Sequence, residues 1–317
     1  MKTHNTIAYL KKLFFFNLFI GVMFALGDGQ VWAAPKGSPW GADYFPNVKL
    51  VDQDGKSVRF YDDLIKDKVV AINFIYTHCG DSCPLETANL SKVQKALGDR
   101  MGKDIFFYSI SIDPEHDTPN TLKAYSKQFG AGHGWLFLTG TKADTTLIRK
   151  KLGLFRESVE ASKLSEHSTS FMIGNERTGQ WMKRSPFDEP KTLAWLLGYS
   201  LSNTKAKRQS GQADYSEARR LPKISKGEDL FRFRCAACHR LDGEDSLGPG
   251  LLGVTQKRDR KWLARWIKEP DKLLAEKDPV AIDLYNRYKK ILMPNLKLND
   301  SDVDALIKYL SESKVVG

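Results

Sequence analysis

The four cysteines of the chain form two pairs, and these pairs limit its fold and chemistry more than any other feature. Cys79 and Cys83 are separated by three residues, whereas Cys235 and Cys238 are separated by two and are followed directly by His239. No cysteine remains for a structural disulfide. Because both spacings are typical of cofactor or redox sites, the cysteines predict two functional sites rather than a fold held together by disulfides.

The second pair has the pattern of a covalent haem attachment site. In an exported protein, Cys-x-x-Cys-His places two thiols for thioether bonds to the haem vinyl groups and the following histidine as an axial ligand of the iron. We expect one haem c, bound through Cys235 and Cys238, with His239 as one axial ligand. Met293 is expected to be the other, because it is the only methionine between residue 223 and residue 317. A thioredoxin-type dithiol next to an unrelated histidine is the alternative interpretation.

The first pair follows an apolar run. Residues 69–76, Val-Val-Ala-Ile-Asn-Phe-Ile-Tyr, predict a buried strand, since β-branched and aromatic residues dominate them. A helix that begins near Asp81 would place Cys79 in its entry loop and Cys83 one turn further along, so that the two sulfurs converge. The N-terminus of a helix also stabilises thiolates, the form that binds metals or attacks disulfides. The pair therefore predicts a metal site or a redox-active disulfide.

Strand patterns alternate with helical patterns up to about residue 202. A β-hairpin is expected around Asp54 and Gly55, and apolar strands are expected at residues 104–112, 135–138 and 169–173. This order predicts an α/β sheet with right-handed crossovers. The polar, basic residues that follow predict a linker. We accordingly place the first domain at residues 34–202, the linker at 203–222 and the second domain at 223–317.

The N-terminal residues predict an exported protein. Lys11 and Lys12 precede an apolar run over residues 13–26, which is shorter than the roughly 20 residues of a membrane span. Residues 1–33 are interpreted as a signal peptide, cleaved after Ala33, that directs the chain to a bacterial periplasm. If it is not cleaved, this segment attaches the protein to the inner membrane. The net charge of +11 is spread along the chain, which argues against a nucleic-acid partner.

Three separate motifs resemble the SCO/SenC family. They are residues 77–84, Thr-His-Cys-Gly-Asp-Ser-Cys-Pro, residues 109–119, which include Asp-Pro-Glu-His-Asp-Thr-Pro, and residues 166–168, Glu-His-Ser. The resemblance extends over about residues 38–200 and implies an α/β domain with a thioredoxin-like fold. Residues 223–317 resemble a small monohaem cytochrome c, which implies that an all-α domain follows.

The SCO/SenC resemblance implies that Cys79, Cys83 and His167 hold one copper ion. Two thiolates suit Cu(I), and an imidazole suits both oxidation states of copper. Glu166 stands where the family usually has aspartate. The resemblance further implies delivery of copper to the CuA centre of a respiratory oxidase, or maintenance of its thiols. Its partners would be the oxidase subunit that carries CuA, or another copper acceptor, and redox proteins. We expect His78, His116 and His133 to lie on the surface or in the core and not to be metal ligands.

Two other functions stay open at this point. In a periplasmic thiol-disulfide oxidoreductase, Cys79 and Cys83 would be catalytic and would cycle between dithiol and disulfide. In a simple electron carrier, only the haem would matter. The Cys-x-x-x-Cys spacing and His167 favour copper over dithiol chemistry. We expect electron transfer between the haem and the copper or thiol site. Copper is the better match, because copper and haem iron each exchange one electron, whereas a dithiol exchanges two.

Overall fold

The structure is a computed structural model that describes residues 40–80, 82–155, 170–202 and 224–313. The predicted signal peptide, the predicted linker and the predicted ligand His167 lie outside these residues. The described residues belong to one compact unit, Ser38–Gly317. None of the helices they form is long and apolar enough to cross a membrane.

The first part of the chain is built around a mixed β-sheet. In the described residues this sheet has seven strands in the spatial order β2-β1-β5-β4-β3-β6-β7. Strands β3, β4 and β5 run parallel at its centre, and β6 pairs antiparallel with β3. In chain order the strands are β1 (Lys49–Asp52), β2 (Ser57–Arg59), β3 (Val69–Ile75), β4 (Ile105–Ser111), β5 (Trp135–Thr139), β6 (Phe171–Asn175) and β7 (Gln180–Arg184).

Helices pack on this sheet between the strands. They are α1 (Cys83–Leu97), α2 (Pro119–Gln128), α3 (Lys142–Lys151) and α4 (Pro190–Trp195). The succession β3-α1-β4-α2, followed by the antiparallel pair β6-β7 and by α4, is the arrangement of a thioredoxin-like fold. Strand β5 and helix α3 are inserted into it before β6. The predicted α/β architecture is therefore confirmed.

The residues explain the elements that position the first cysteine pair. All seven residues of β3 are buried, as expected for an apolar strand in the middle of a sheet. The predicted hairpin is formed by β1 and β2, with Gly55 at a φ of 82° in the turn. Helix α1 begins at Cys83, with Ser82 at the N-cap position and Pro84 in the first turn, where proline is well tolerated.

The second part of the chain is helical, which confirms the all-α prediction. Its helices are α5 (Lys226–Leu230), α6 (Val254–Lys257), α7 (Arg260–Lys268), α8 (Pro270–Ala275), α9 (Pro279–Arg287) and α10 (Asp300–Glu312). Phe231, just after α5, packs with buried side chains of α7 and α10, including Leu263 and Leu306. Helices α5 and α10 approach closely at Gly227, where a Cβ atom would lie 2.1 Å from the backbone oxygen of Ala305.

Candidate metal and haem sites

Both cysteines of the first pair lie at the end of β3 that leads into α1. Cys79 is in the connecting loop, where its N–H donates to the carbonyl oxygen of Tyr76 at 3.2 Å, and Cys83 is the first residue of the helix. Their side chains are 1% and 0% exposed, respectively. The structure thus brings the two predicted sulfur ligands together in a buried position between strand and helix.

Burial changes the expected ionisation of this pair. It raises the pKa of the Cys83 thiol well above its usual value, and a hydrogen bond and a charge interaction with Cys79 raise it further. In the absence of a metal, burial therefore favours the protonated Cys83 thiol, because removing a charged thiolate from water is costly. A bound cation would offset that cost, because its charge compensates the thiolate.

A buried carboxyl lies beneath the cysteines. Burial raises the pKa of Glu86 to about 8, interactions with the side chains of Ser82 and Asn73 lower it, and the charge of Cys79 raises it. Within the described part of the chain, Oε1 of Glu86 and Nδ2 of Asn73 are both buried and form no hydrogen bond of normal geometry. Glu86 is therefore largely protonated at neutral pH, when the site holds no metal.

A buried aspartate holds the cysteine loop against the sheet. The Asp117 carboxylate accepts hydrogen bonds from Oγ1 of Thr77 at 2.5 Å and from Oγ of Ser111 at 2.6 Å, and Asp117 is fully buried. Thr77 belongs to the loop and Ser111 ends β4, so these bonds join the two strand ends. Our sequence reasoning assigned no role to Asp117, although its place in the second family motif was a signal.

Two histidines that we expected to have no special role lie beside this loop. Oδ2 of Asp113 is 2.8 Å from Nδ1 of His116 and 3.5 Å from Nε2 of His78. The two imidazole rings are 5.3 Å apart between centroids. His78 precedes Cys79 directly, so this cluster adjoins the cysteines, but both rings are mostly exposed.

The thiols fit a soft metal ion such as Cu(I), although the described residues do not supply a complete ligand set. No group of three or more His, Cys, Asp or Glu side chains is arranged to hold a metal ion among the residues that the structure describes. The third predicted ligand, His167, lies outside them. Among the described residues, Cys79 and Cys83 are therefore the two that would hold the ion.

The second cysteine motif lines an apolar cleft in the helical part of the chain. Cys235, His239 and Met293 all face a cavity of about 370 Å³, and the same three residues line a smaller adjoining space of about 80 Å³. Trp262 and Trp266 stack on each other, 5.6 Å apart, and also line the larger cavity. The structure thus brings the predicted haem ligands to one cleft, and Cys238 lines its smaller part.

The environment of His239 fits an iron ligand. Nδ1 of His239 is 2.9 Å from the carbonyl oxygen of Pro249, so the neutral ring donates there and leaves Nε2 for the metal. Burial lowers the pKa of His239, which favours this neutral form. Gly248 lies against the ring, where a Cβ atom would be 2.6 Å from Cε1. Burial also raises the pKa of the Cys235 and Cys238 thiols to about 12. These residues and the apolar cleft fit a covalently bound haem c.

The two sites are in contact within the chain. The N–H of Asn295, two residues after Met293, donates to the carbonyl oxygen of Gly80 at 3.1 Å. Lys92 of α1 donates from Nζ to the carbonyl oxygen of Ala236, which lies between the two haem-attachment cysteines. Leu85, also in α1, lines the smaller part of the haem cleft. The haem cleft thus opens onto the helix that begins at Cys83.

Comparisons with known proteins agree with this two-part organisation. A model of the SCO1/SenC family matches residues 39–194, and a model of the cytochrome c family matches residues 224–314. The chain is 30% identical over 166 residues to an SCO2-like protein of Rickettsia conorii, which corresponds to 49% of this chain and 78% of that protein. It is 25% identical over 146 residues to an SCO1 protein homolog of Bacillus subtilis, corresponding to 44% of this chain and 74% of that protein.

Solved structures were also found to be similar. A SCO1/SenC family lipoprotein of Bacillus anthracis is 28% identical, with 54% of this chain and 100% of that chain covered and a TM-score of 0.44. Copper-bound ScoI of Bradyrhizobium japonicum is also 28% identical, with 47% and 94% covered and a TM-score of 0.40. From the family models and the relatives, the chain belongs to the SCO1/SenC family and carries a cytochrome c domain in its second part.

Proposed function

We propose that the protein binds copper at Cys79 and Cys83 and passes it to an acceptor protein, while the cytochrome c domain exchanges electrons with that site. The observation that carries the proposal is the pair of thiols, which lie together and almost fully buried where β3 meets α1. A buried pair of soft ligands suits Cu(I), which prefers thiolate and needs few ligands. His167 is proposed as the third ligand.

The protonation of Cys83 makes copper binding sensitive to pH. Burial raises the pKa of Cys83, so the metal-free thiol stays protonated at neutral pH. Copper binding replaces that proton, because only the thiolate is a strong ligand. Copper affinity is therefore expected to increase with pH up to the pKa of the thiol.

The proposed acceptor is the CuA-carrying subunit of a respiratory oxidase, or another copper acceptor outside the cytoplasm. This part of the proposal rests on family membership and on the SCO proteins that the chain resembles. The basic, apolar N-terminal segment supports export to a periplasm, with attachment to the inner membrane if residues 1–33 are retained.

The haem supports a redox role for the second domain. When bound, haem c supplies a one-electron Fe(III)/Fe(II) couple, with a potential raised by a thioether ligand. His239 and Met293 line the cleft that would hold it, and the contacts of Asn295 and Lys92 keep this cleft next to the cysteine loop. With copper held by Cys79 and Cys83, and haem held by Cys235, Cys238, His239 and Met293, one-electron exchange between the two sites would balance, because Cu(I)/Cu(II) and Fe(III)/Fe(II) each differ by one electron. An external one-electron redox protein would then restore the oxidised haem.

Rapid mixing of the Fe(III) protein with Cu(I) tests this exchange. Wild type is expected to show reduced-haem absorbance in proportion to the copper added, whereas Cys79→Ser shows the change slowly or not at all. Cys79→Ser that is reduced as quickly as wild type would mean that copper reduces the haem without using the cysteines.

A thiol-disulfide oxidoreductase remains the second candidate, because the thiols of Cys79 and Cys83 interact directly. It predicts catalytic turnover on disulfide substrates that persists in His167→Ala and stops in Cys79→Ser. Copper delivery instead predicts weakened Cu(I) binding in His167→Ala, with His133→Ala as the matched histidine control. Turnover that does not depend on copper would favour the oxidoreductase.

A further inference from the structure

The loop that holds Met293 touches the loop that holds the first cysteine pair. Gly80 lies between Cys79 and Cys83, and its carbonyl oxygen accepts the Asn295 N–H at 3.1 Å. Met293, a proposed haem ligand, is two residues from Asn295, and the proposed copper ligands Cys79 and Cys83 are within three residues of Gly80. One hydrogen bond therefore joins the two ligand-bearing loops. Neither loop can move far from the other without breaking it.

A charged side chain makes a second contact across the same boundary. Lys92, in the third turn of α1, donates to the carbonyl oxygen of Ala236. Burial lowers the pKa of this lysine, which reflects its place between the two parts of the chain. A hydrogen bond from a charged donor is stronger than one between neutral groups, so Lys92 is a principal polar anchor of this contact.

Apolar side chains complete the boundary. Leu85 of α1 lines the haem cleft together with Leu247, Ile291 and Leu296. The last three also pack against the core of the first domain. We call the surface formed by Gly80, Leu85 and Lys92 the docking face. Among the described residues, the boundary also includes Arg234, whose guanidinium lies 5.9 Å from the ring centroid of Phe187. Relative motion is the usual expectation for two domains of one chain that meet through polar and charged contacts of this kind.

We infer that the chain's own haem domain docks reversibly on the docking face, and that a copper acceptor must displace it to reach Cys79 and Cys83. The inference rests on the proposed function, because it takes the cysteine pair as the copper site. Copper passes between proteins by exchange of sulfur or nitrogen ligands, which requires close approach to the sulfurs. In the docked arrangement the Asn295 loop lies on Gly80, which stands between the two cysteines in the sequence, and Leu85, two residues after Cys83, lines the haem cleft. Docking therefore suits electron exchange within the chain, and undocking suits copper transfer.

Thiol alkylation of the reduced, copper-free, haem-loaded chain tests this inference. Cys235 and Cys238 carry thioether bonds in that form, so a maleimide reacts only at Cys79 and Cys83. Lys92→Gln removes the charged donor and is expected to increase the alkylation rate about tenfold, since a charge-assisted hydrogen bond is lost. Lys92→Arg, which retains a charged donor, should remain close to wild type. The matched control is Lys95→Gln, an exposed lysine one turn further along the same helix.

Amide hydrogen exchange provides a second measurement, which follows the contact itself in wild type and in Lys92→Gln. The Asn295 amide of wild type is expected to be protected, and Lys92→Gln is expected to reduce its protection while the amides of α10 stay protected. An unprotected Asn295 amide in wild type would contradict docking. Equal alkylation rates in Lys92→Gln and Lys95→Gln, with the haem spectrum unchanged, would overturn the role of Lys92 and the docking face.

Copper content separates this inference from the proposed function. If docking covers the cysteines, Lys92→Gln still binds as much Cu(I) as wild type at equilibrium but transfers it faster to a Cu(I) chelator. If wild type binds no copper while Lys92→Gln still speeds alkylation, the proposed function fails and the docking face stands. If copper binds normally and Lys92→Gln does not change the alkylation rate, the docking face fails and the proposed function stands.

Discussion

Replacement of Glu86 by glutamine is expected to remove a large pH dependence from the stability of the copper-free protein. Burial raises the pKa of Glu86 from 4.5 to about 8 in the folded state. The folded protein therefore keeps this proton at pH values where the unfolded chain has released it. The free energy of unfolding is then highest below pH 4.5, falls as the pH rises, and levels off above about pH 8. The slope between these values is about −1.4 kcal/mol per pH unit, and the total loss is about 5 kcal/mol.

The measurement is urea unfolding of haem-loaded, copper-free wild type and Glu86→Gln at several pH values between 5 and 8, followed by far-ultraviolet circular dichroism. Because other titrating groups are common to both proteins, the difference between the two unfolding free energies isolates Glu86. Relative to wild type, Glu86→Gln should gain about 4 kcal/mol between pH 5 and pH 8. Curves that run parallel over this range would refute the reasoning, since they would mean that the carboxyl is solvated or paired in the folded state.

Three further substitutions test the packing and the ligands. Gly227→Ala places a Cβ atom 2.1 Å from a backbone oxygen of α10 and should lower the free energy of unfolding by about 1–3 kcal/mol. The control is Gly243→Ala, where a Cβ atom meets nothing within 4 Å. It should change the free energy of unfolding by less than about 0.5 kcal/mol. Asp117→Asn weakens the charged hydrogen bonds that hold the cysteine loop and should cost about 1.5–3 kcal/mol in the same assay, whereas the exposed Asp99→Asn should be neutral. Met293→Leu should leave the haem attached but abolish the methionine–Fe(III) absorbance band and lower the midpoint potential in a redox titration, because the thioether favours Fe(II). An unchanged potential would exclude Met293 as the axial ligand.

Local sequence patterns predicted the elements of the fold well. The β-branched run of β3, the Asp54-Gly55 turn and the threonine-proline start of α2 each specify a structure through residues close in sequence. The spacing of Cys235, Cys238 and His239 predicted a haem-attachment site, and the structure places all three residues at the wall of one cleft. These features depend on neighbouring residues, so the sequence alone was sufficient.

Long-range packing determined the features that sequence reasoning missed. The raised pKa of Cys83 and the buried carboxyl of Glu86 follow from burial by distant elements, which a local motif does not reveal. The contact of Asn295 with Gly80 joins residues more than two hundred positions apart. The anchoring role of Asp117 depends on the meeting of two strand ends. His167, predicted as a copper ligand, lies outside the described residues and stays a prediction.

Copper content tests the central claim most directly. Reduced, haem-loaded protein is incubated with Cu(I), separated from unbound metal and analysed for copper and iron, alongside Cys79→Ser and His167→Ala. We expect about one copper per haem in wild type, none in Cys79→Ser, and weakened retention in His167→Ala. Wild type that retains no copper, or Cys79→Ser that retains as much as wild type, would contradict a copper site at the cysteine pair.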